Sequence, residues 1–524
     1  MEADYVVVGA GPAGSVVAAA LAAPGRTVVL IEAGERREHP FARLPAAALV
    51  APRHAGSGTI CSEPDPTAGG RTLEWAMPRG IGGARSLDAL VYDPGFASDY
   101  DEWAELGATG WSHADVAPVF ARLEHGSEGV LSAALALETA DPTAEPTQAF
   151  LAACAKLHMP TLAPGDPSEL VSAHLTRLTL AGGRRASAAD VWLRPRLRDR
   201  HLTLLTRTRV LSLQLGGRRC IGVFARRDGQ DLQIRARAEV VLAAGVFGSP
   251  KLLMVSGIGP PGLLASVGIA PRHALAGVGG NLSDHAGLRV SARLRTAALR
   301  RRDRRLPLAL AHYLNWRLAR RGIFGEPAVT ASAWMSVERS AAPAFALHLT
   351  PAALLGGPAG PALAAEPGLT LSVHARRPGS RGRLRLGGPG VDDRLRVEHL
   401  MLSDPKEIDV LSAGLHVARR LCMTSPLDTL IEGEADIGPA DGSGAALTDW
   451  IRANARPLGH ASGTCRMGRA DDPDAVVDAR LKVHGVQGLR IVDASVMPRA
   501  PSASPGAAAI MVAARAAEFI IEGQ

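Results

Sequence analysis

A chain of 524 residues with 47% apolar content is too long for one compact core, so the sequence predicts two domains or one large domain with a second lobe. The 58 basic and 51 acidic residues leave a net charge of only +7, which gives little reason to expect a nucleic acid partner. No run of about 18 apolar residues occurs, so no membrane span is predicted. Five cysteines are scattered without metal-ligand spacing and indicate reduced thiols in a cytoplasmic protein. They are Cys61, Cys154, Cys220, Cys422 and Cys465.

The first stretch with a chemical signature spans residues 5–34. The apolar run 5–8 has the length of a buried parallel strand, and it breaks at Gly9-Ala10-Gly11-Pro12-Ala13-Gly14, which fits G-x-G-x-x-G. These glycines permit a sharp turn, approach of a pyrophosphate and close packing of the following helix. A second strand, 27–31, ends on Glu32, where a carboxylate can bind the ribose hydroxyls of an adenosine. The unit predicts a dinucleotide site but does not separate FAD from NAD.

A second glycine-dense turn follows a region, 35–75, that is rich in Pro, Gly and acidic residues and is predicted to be a surface excursion or lid. The turn reads Pro78-Arg79-Gly80-Ile81-Gly82-Gly83 and offers backbone amides to an anion or to a flat ring. Next come Asp99-Tyr100-Asp101-Glu102-Trp103 and Ser112, a predicted cap of the next helix.

These segments together resemble the glucose-methanol-choline (GMC) oxidoreductase family of FAD enzymes. Three later segments extend the resemblance along the chain. The strand 240–244 runs onto Gly245, the stretch 277–285 matches G-V-G-x-N-L-x-D-H, and 458–468 is similar to the family's catalytic-histidine segment. The resemblance favours FAD over NAD, and the bacterial aryl-alcohol and hydroxymethylfurfural oxidases and choline dehydrogenase-like members are the most similar branches.

The resemblance implies an α/β fold, α+β overall. A Rossmann-like FAD-binding domain would comprise residues 1–287 and 446–524, and an inserted substrate domain, 288–445, would be an antiparallel sheet backed by helices. FAD is expected to be non-covalent, because Leu87 stands where some members attach flavin through histidine. The expected cofactor-binding residues are Gly9, Gly11, Pro12, Ala13, Gly14, Glu32, Ala33, Arg79, Gly82, Gly83, Asp88, Ala89, Leu90, Val210, Ala244, Gly245, Asp493, Ala494 and Pro505.

The same resemblance assigns the chemistry to His460. An imidazole suits a base that removes the hydroxyl proton of an alcohol, because its ordinary pKa of about 6.5 leaves it largely neutral near pH 7. The family places an asparagine or a second histidine beside this residue, and counting along 497–506 puts Ser504 there. Asp88 replaces the family's usual asparagine, and its charge would disfavour a reduced, anionic flavin.

Three functions follow from these matches and departures. The favoured one is FAD-dependent oxidation of a small or aromatic alcohol, with O2 or another electron acceptor. The second keeps the flavin but alters the reaction to a lyase, an elimination or a specialised dehydrogenation in a biosynthetic pathway. The third is a protein that retains the fold as a non-catalytic flavin-binding or partner protein. His374, Trp334 and Met335 are weaker candidates for the pocket wall, and the basic cluster 300–305 is interpreted as a solvated surface.

Overall fold

The computed structural model describes residues 1–36, 40–50, 57–86, 88–129, 131–164, 166–295, 306–320, 322–336, 342–355, 362–364, 366–436 and 444–523. Leu87 and the basic cluster 300–305 lie outside these ranges. Two seven-stranded sheets organise the described chain, and the predicted fold class, α/β with an antiparallel-sheet substrate lobe, is confirmed.

The first sheet is mixed, with a parallel core. Its strands in spatial order are Leu202–Leu205, Val28–Ile31, Glu2–Val8, Gln230–Leu242, Arg219–Arg227 and Thr208–Gly216, with Leu489–Ile491 also paired to Gln230–Leu242. All pairings are parallel except those made by 219–227. The helix Pro12–Leu21 is buried along nearly its whole length and packs against the last helix, Pro505–Glu522. Its small residues permit this close approach.

The second sheet is antiparallel. Its strands in spatial order are Ile431–Asp436, Ala286–Leu294, Gly368–Ala375, Phe345–Thr350, Ala331–Met335 and Ser172–Leu175, and Arg456–Pro457 pairs with Ala286–Leu294. Residues such as Leu371 and Val373 are fully buried on one face, where the helix Pro405–Cys422 packs with its Gly414 against Val373. Side chains alternate across a strand, so the intervening polar residues lie on the opposite face.

The remaining described helices connect or cover these sheets. They are Ala47–Val50, Ala97–Glu105, His113–His125, Glu145–Lys156, Gly245–Val255, Pro261–Ser266, Leu306–Ala319, Leu427–Leu430 and Gly444–Asn454. Five two-stranded pairs complete the described strands. They are Ser57–Cys61 with Glu74–Pro78, Glu138–Thr139 with Arg177–Leu178, Ile258–Gly259 with His273–Ala274, Leu354–Leu355 with Ala362–Leu363, and Arg383–Leu386 with Leu395–Glu398.

The structure corrects one prediction about local structure. The region 35–75 is not only loop, because 57–61 and 74–78 form a hairpin that carries the buried Trp75. Within the predicted substrate domain, the strand Arg383–Leu386 pairs with Leu395–Glu398 in a separate antiparallel ribbon and does not join the large sheet. All five cysteines are free thiols. Among the described helices, none combines the length and apolar character that crossing a membrane requires.

Candidate active site

Glu32 joins the two predicted glycine turns. One of its carboxylate oxygens accepts hydrogen bonds from the backbone N–H groups of Gly34 (2.7 Å) and Gly80 (3.0 Å), and the other accepts from Ala10 (2.9 Å). A further backbone bond links Gly82 N–H to the Ala10 carbonyl at 2.8 Å. This buried carboxylate therefore ties both turns to the end of the strand Val28–Ile31, a structural role that the sequence did not reveal.

Asp493 likewise ties loops together, just after the strand Leu489–Ile491 of the mixed sheet. Its carboxylate accepts from the Gly245 N–H (2.9 Å), the Ser249 hydroxyl (2.6 Å) and the Ser495 N–H (2.8 Å). The residues predicted around Gly9, Glu32, Gly245 and Asp493 thus lie along one edge, where the parallel strands of the mixed sheet end. Crevices at this edge are where α/β folds bind ligands.

The second and third glycines of the first turn, Gly11 and Gly14, have different surroundings. A Cβ atom on Gly14 would lie 1.9 Å from the Gly9 carbonyl oxygen, so the helix packs there as closely as the backbone allows. A Cβ atom on Gly11 would meet no protein atom within 4 Å. The N-terminus of the helix Pro12–Leu21 thus opens onto free space, as a pyrophosphate requires. This cradle fits the phosphates of a dinucleotide such as FAD.

Asp88 is neutralised by two arginines. Its carboxylate lies 2.9 Å from Arg85 Nη1 and 2.7 Å from Arg185 Nη2, and both guanidinium groups are buried. Nε and Nη1 of Arg185 have no hydrogen-bond partner among the described residues, and burial lowers the pKa of Arg185 to about 10. The cluster carries one net positive charge, so the negative field expected from Asp88 alone does not arise. Gly506 leaves room for Arg85, because a Cβ atom there would lie 2.4 Å from Arg85 Nη1.

His460 is hydrogen-bonded to a second histidine. Its Nδ1 lies 3.2 Å from Nδ1 of His285, and its backbone N–H donates to Asp284 at 2.9 Å. Asp284 also accepts from Trp75 Nε1 at 2.7 Å, and burial raises its pKa to about 7. Burial together with neighbouring imidazole and guanidinium groups holds the pKa of His460 well below its usual range.

The hydrogen-bond network assigns the tautomer of both rings. His285 Nε2 lies 3.0 Å from the Arg376 carbonyl oxygen and 3.1 Å from that of Pro501, and carbonyl oxygens only accept, so Nε2 carries the hydrogen. Burial lowers the pKa of His285 to about 4, so near pH 7 its Nδ1 is a bare acceptor. His460 must then donate from Nδ1, which leaves a lone pair on His460 Nε2. This is the protonation state that a general base requires.

Ser504 is not the hydrogen-bonded partner of His460 in the described structure. It is the N-cap residue of the helix Pro505–Glu522, three residues after Pro501, whose carbonyl binds His285. The side chain hydrogen-bonded to His460 is that of His285, the last residue of the G-V-G-x-N-L-x-D-H segment. The aspartate and histidine of that motif lie directly against the His460 segment.

The second face of the antiparallel sheet presents polar side chains towards His460. We call His174, Thr176, Ser332, Trp334, His348, Ser372 and His374 the polar face. The ring centroids of His374 and His460 lie 6.3 Å apart, and those of His348 and His374 4.4 Å apart. Two of the three weaker wall candidates, His374 and Trp334, are therefore on this face, whereas Met335 is on the other.

Comparison with known proteins supports this architecture. Residues 3–287 and 378–513 match the two profiles described as GMC oxidoreductase. A GMC-type oxidoreductase of Mycobacterium bovis is 33% identical over 99% of each chain, and an oxygen-dependent choline dehydrogenase of Rhizobium etli is 32% identical over 100% of this chain and 96% of its own. The crystal structure of pyridoxine 4-oxidase from Mesorbium loti is similar with a TM-score of 0.87, at 29% identity over 99% of both chains.

The chain therefore belongs to the GMC oxidoreductase family and is an oxidoreductase. The predicted family, fold class and enzyme class are confirmed.

The contrast between Gly11 and Gly14 predicts that substitutions at these two positions have separable effects on stability and on FAD binding. Gly14→Ala should lower the melting temperature with or without FAD, because the added carbon collides with the Gly9 carbonyl. Gly11→Ala should leave the melting temperature of the FAD-depleted protein unchanged and weaken FAD binding about tenfold or more. Thermal unfolding and FAD titration measure both effects. Wild-type FAD affinity in Gly11→Ala would show that the cradle lies elsewhere.

The buried histidines predict acid sensitivity. Burial lowers the pKa of His174, His285 and His399 to about 4 and that of His348 to about 3, whereas unfolding returns each to about 6.5. The unfolded chain then binds more protons between about pH 4 and 6.5, so stability should rise with pH across this window by about 1.4 kcal/mol per pH unit for each group. The raised pKa of Asp284 acts in the opposite direction, but it is one group against the four histidines.

Thermal melting from pH 5 to 7.5 measures the slope, and His399→Phe should reduce it because one such imidazole is removed. A melting temperature that is constant or falls as pH rises from 5 to 6.5 would contradict the assignment of neutral buried histidines.

Proposed function

We propose that this protein is an FAD-dependent oxidoreductase that oxidises a small or aromatic alcohol to the carbonyl compound. The observation that carries the proposal is the hydrogen-bond relay from two backbone carbonyls through His285 to His460, which leaves Nε2 of His460 unprotonated. A positioned imidazole of this kind accepts the hydroxyl proton of an alcohol. When bound, FAD supplies the acceptor for the hydride that leaves the alcohol carbon.

The residues of the mixed-sheet edge are proposed to hold FAD. Gly11 and the start of the helix Pro12–Leu21 would receive the pyrophosphate, Glu32 the adenosine ribose, and the segment of Asp493 the ribityl side. Residues 1–287 and 446–524 would form this cofactor domain and 288–445 the substrate domain. FAD is proposed to be non-covalent, because a leucine at position 87 has no nucleophilic atom with which to bond it.

The names of the relatives are compatible with this reaction. The choline dehydrogenase and pyridoxine 4-oxidase named above act on alcohols, which supports oxidation of a CH–OH group here. We propose O2 or another electron acceptor as the final oxidant. The altered-chemistry alternative rested on Ser504 at the place of an asparagine or histidine. We favour alcohol oxidation over this alternative because the named relatives act on alcohols.

His460→Ala is the first test. The variant should bind FAD normally but lose alcohol-driven bleaching of the flavin, by roughly 10²- to 10⁴-fold in rate, because the proton acceptor is gone. Anaerobic stopped-flow absorbance with an alcohol panel measures this rate. Undiminished bleaching in the variant would remove His460 from the base role.

In the wild type the rate of bleaching should stay on its plateau as pH falls below 6.5, since the pKa of His460 is held low.

His285→Phe tests the relay separately. The variant keeps the ring volume but removes the acceptor that fixes the His460 tautomer, so the limiting rate of bleaching should fall by roughly 10²- to 10⁴-fold. The apparent Kd of the alcohol and the FAD content should change little. His399→Phe is the matched control, since its buried imidazole has no side-chain hydrogen bond among the described residues. Equal rates in both variants would show that His285 only fills space.

A further inference from the structure

A cleft borders part of the polar face, and ring contacts link His460 through His374 to His348, which lines the cleft. Asp93, His174, Thr176, Ser332, Trp334 and His348 line this cleft. The ring contacts from His460 through His374 to His348 form an uninterrupted wall of imidazoles. An alcohol whose hydroxyl faces His460 would therefore direct the rest of its frame along this wall.

The imidazoles of this wall have spare hydrogen-bonding capacity. His348 Nδ1 is bonded to the Ser332 hydroxyl at 2.7 Å, and Ser332 lies 3.3 Å from Thr176 Oγ1. His174 is 94% buried, and neither its ring nor that of His374 has a hydrogen-bond partner among the described residues. A neutral imidazole offers one donor and one acceptor. A hydrocarbon ligand would leave these groups unpaired, which is unfavourable because a buried polar group without a partner has lost its hydration.

The groups that could bind a cation in this region are already paired, as far as the structure describes it. Arg376 Nη2 donates to Asp93 at 2.9 Å, and the other Asp93 oxygen accepts from the Gly95 N–H at 3.0 Å. The Arg376 guanidinium also lies 5.1 Å from the Trp334 ring centroid and 5.4 Å from that of Phe96. Among the described residues that line the cleft, the Asp93 carboxylate and the Trp334 and Tyr92 rings could hold a quaternary ammonium, and each already lies against Arg376 or Arg177.

We propose that the substrate is a neutral alcohol carrying a second hydrogen-bonding group, which His174, His348 and His374 bind, and that cationic alcohols are rejected through Arg376. This inference rests on the proposed function, because His460 defines the reacting end of the substrate. It makes the polar face the specificity-determining surface of the site.

Two pairs of isosteric alcohols test the proposal on the FAD-saturated protein at pH 8. 3-Pyridinemethanol and benzyl alcohol differ by one ring nitrogen, and choline and 3,3-dimethylbutan-1-ol differ by one positive charge. Ligand-induced thermal shifts should give a Kd about tenfold lower for pyridinemethanol than for benzyl alcohol, the value of one good hydrogen bond. Choline should bind at least tenfold more weakly than its neutral isostere.

Substitutions test whether the histidines of the polar face cause the preference for 3-pyridinemethanol. His348→Phe and His374→Phe should each reduce the pyridinemethanol preference towards one, whereas His399→Phe, which lies outside the polar face, should retain it. Equal Kd values within the aromatic pair, a preference unaffected by both wall variants, or tighter binding of choline would each overturn the proposal. Anaerobic bleaching by the same alcohols is read separately. Selective binding without bleaching would contradict the proposed function but would still support the proposed binding preference.

Discussion

The active site depends on a simple constraint, namely that a backbone carbonyl can only accept a hydrogen bond. The carbonyls of Arg376 and Pro501 converge on His285 Nε2 and fix its proton there, and His285 Nδ1 in turn fixes the proton of His460 on Nδ1. The lone pair of His460 Nε2 is the consequence. Arg376 follows a strand of the antiparallel sheet and Pro501 precedes the last helix, so the two parts of the fold set the state of the base jointly.

Buried polar groups of this kind are stabilised only when each finds a partner. Glu32 and Asp493 each collect three donors and so fix the loops at the edge of the mixed sheet. Asp88 is held by two arginines, one of which fills the space that Gly506 leaves open. The local field beside the second glycine turn is thus positive, a setting that favours an electron-rich cofactor rather than opposing it.

The sequence was sufficient where the chemistry lies in one contiguous segment. The glycine turns, the strand that ends at Glu32 and the segment of His460 are short motifs, and the predicted strand, helix and second strand around the first turn are present. The polar face is predicted only in part, through His374 and Trp334, because its histidines are separated by up to 200 residues and each is isolated in the chain. A signal was present in Thr370, Ser372 and His374, which alternate with apolar residues at the period of a strand. Only the pairing of strands shows that this alternation brings three imidazoles together.

His460 presents an unprotonated Nε2 because His285 holds the proton of His460 on Nδ1. Nitrogen-15 spectra of the FAD-loaded protein labelled at histidine test it most directly at pH 7.5, with His460→Gln to assign the signals. We expect a hydrogen on Nδ1 and none on Nε2 of His460, and the reverse arrangement on His285. A hydrogen found on His460 Nε2 would contradict it.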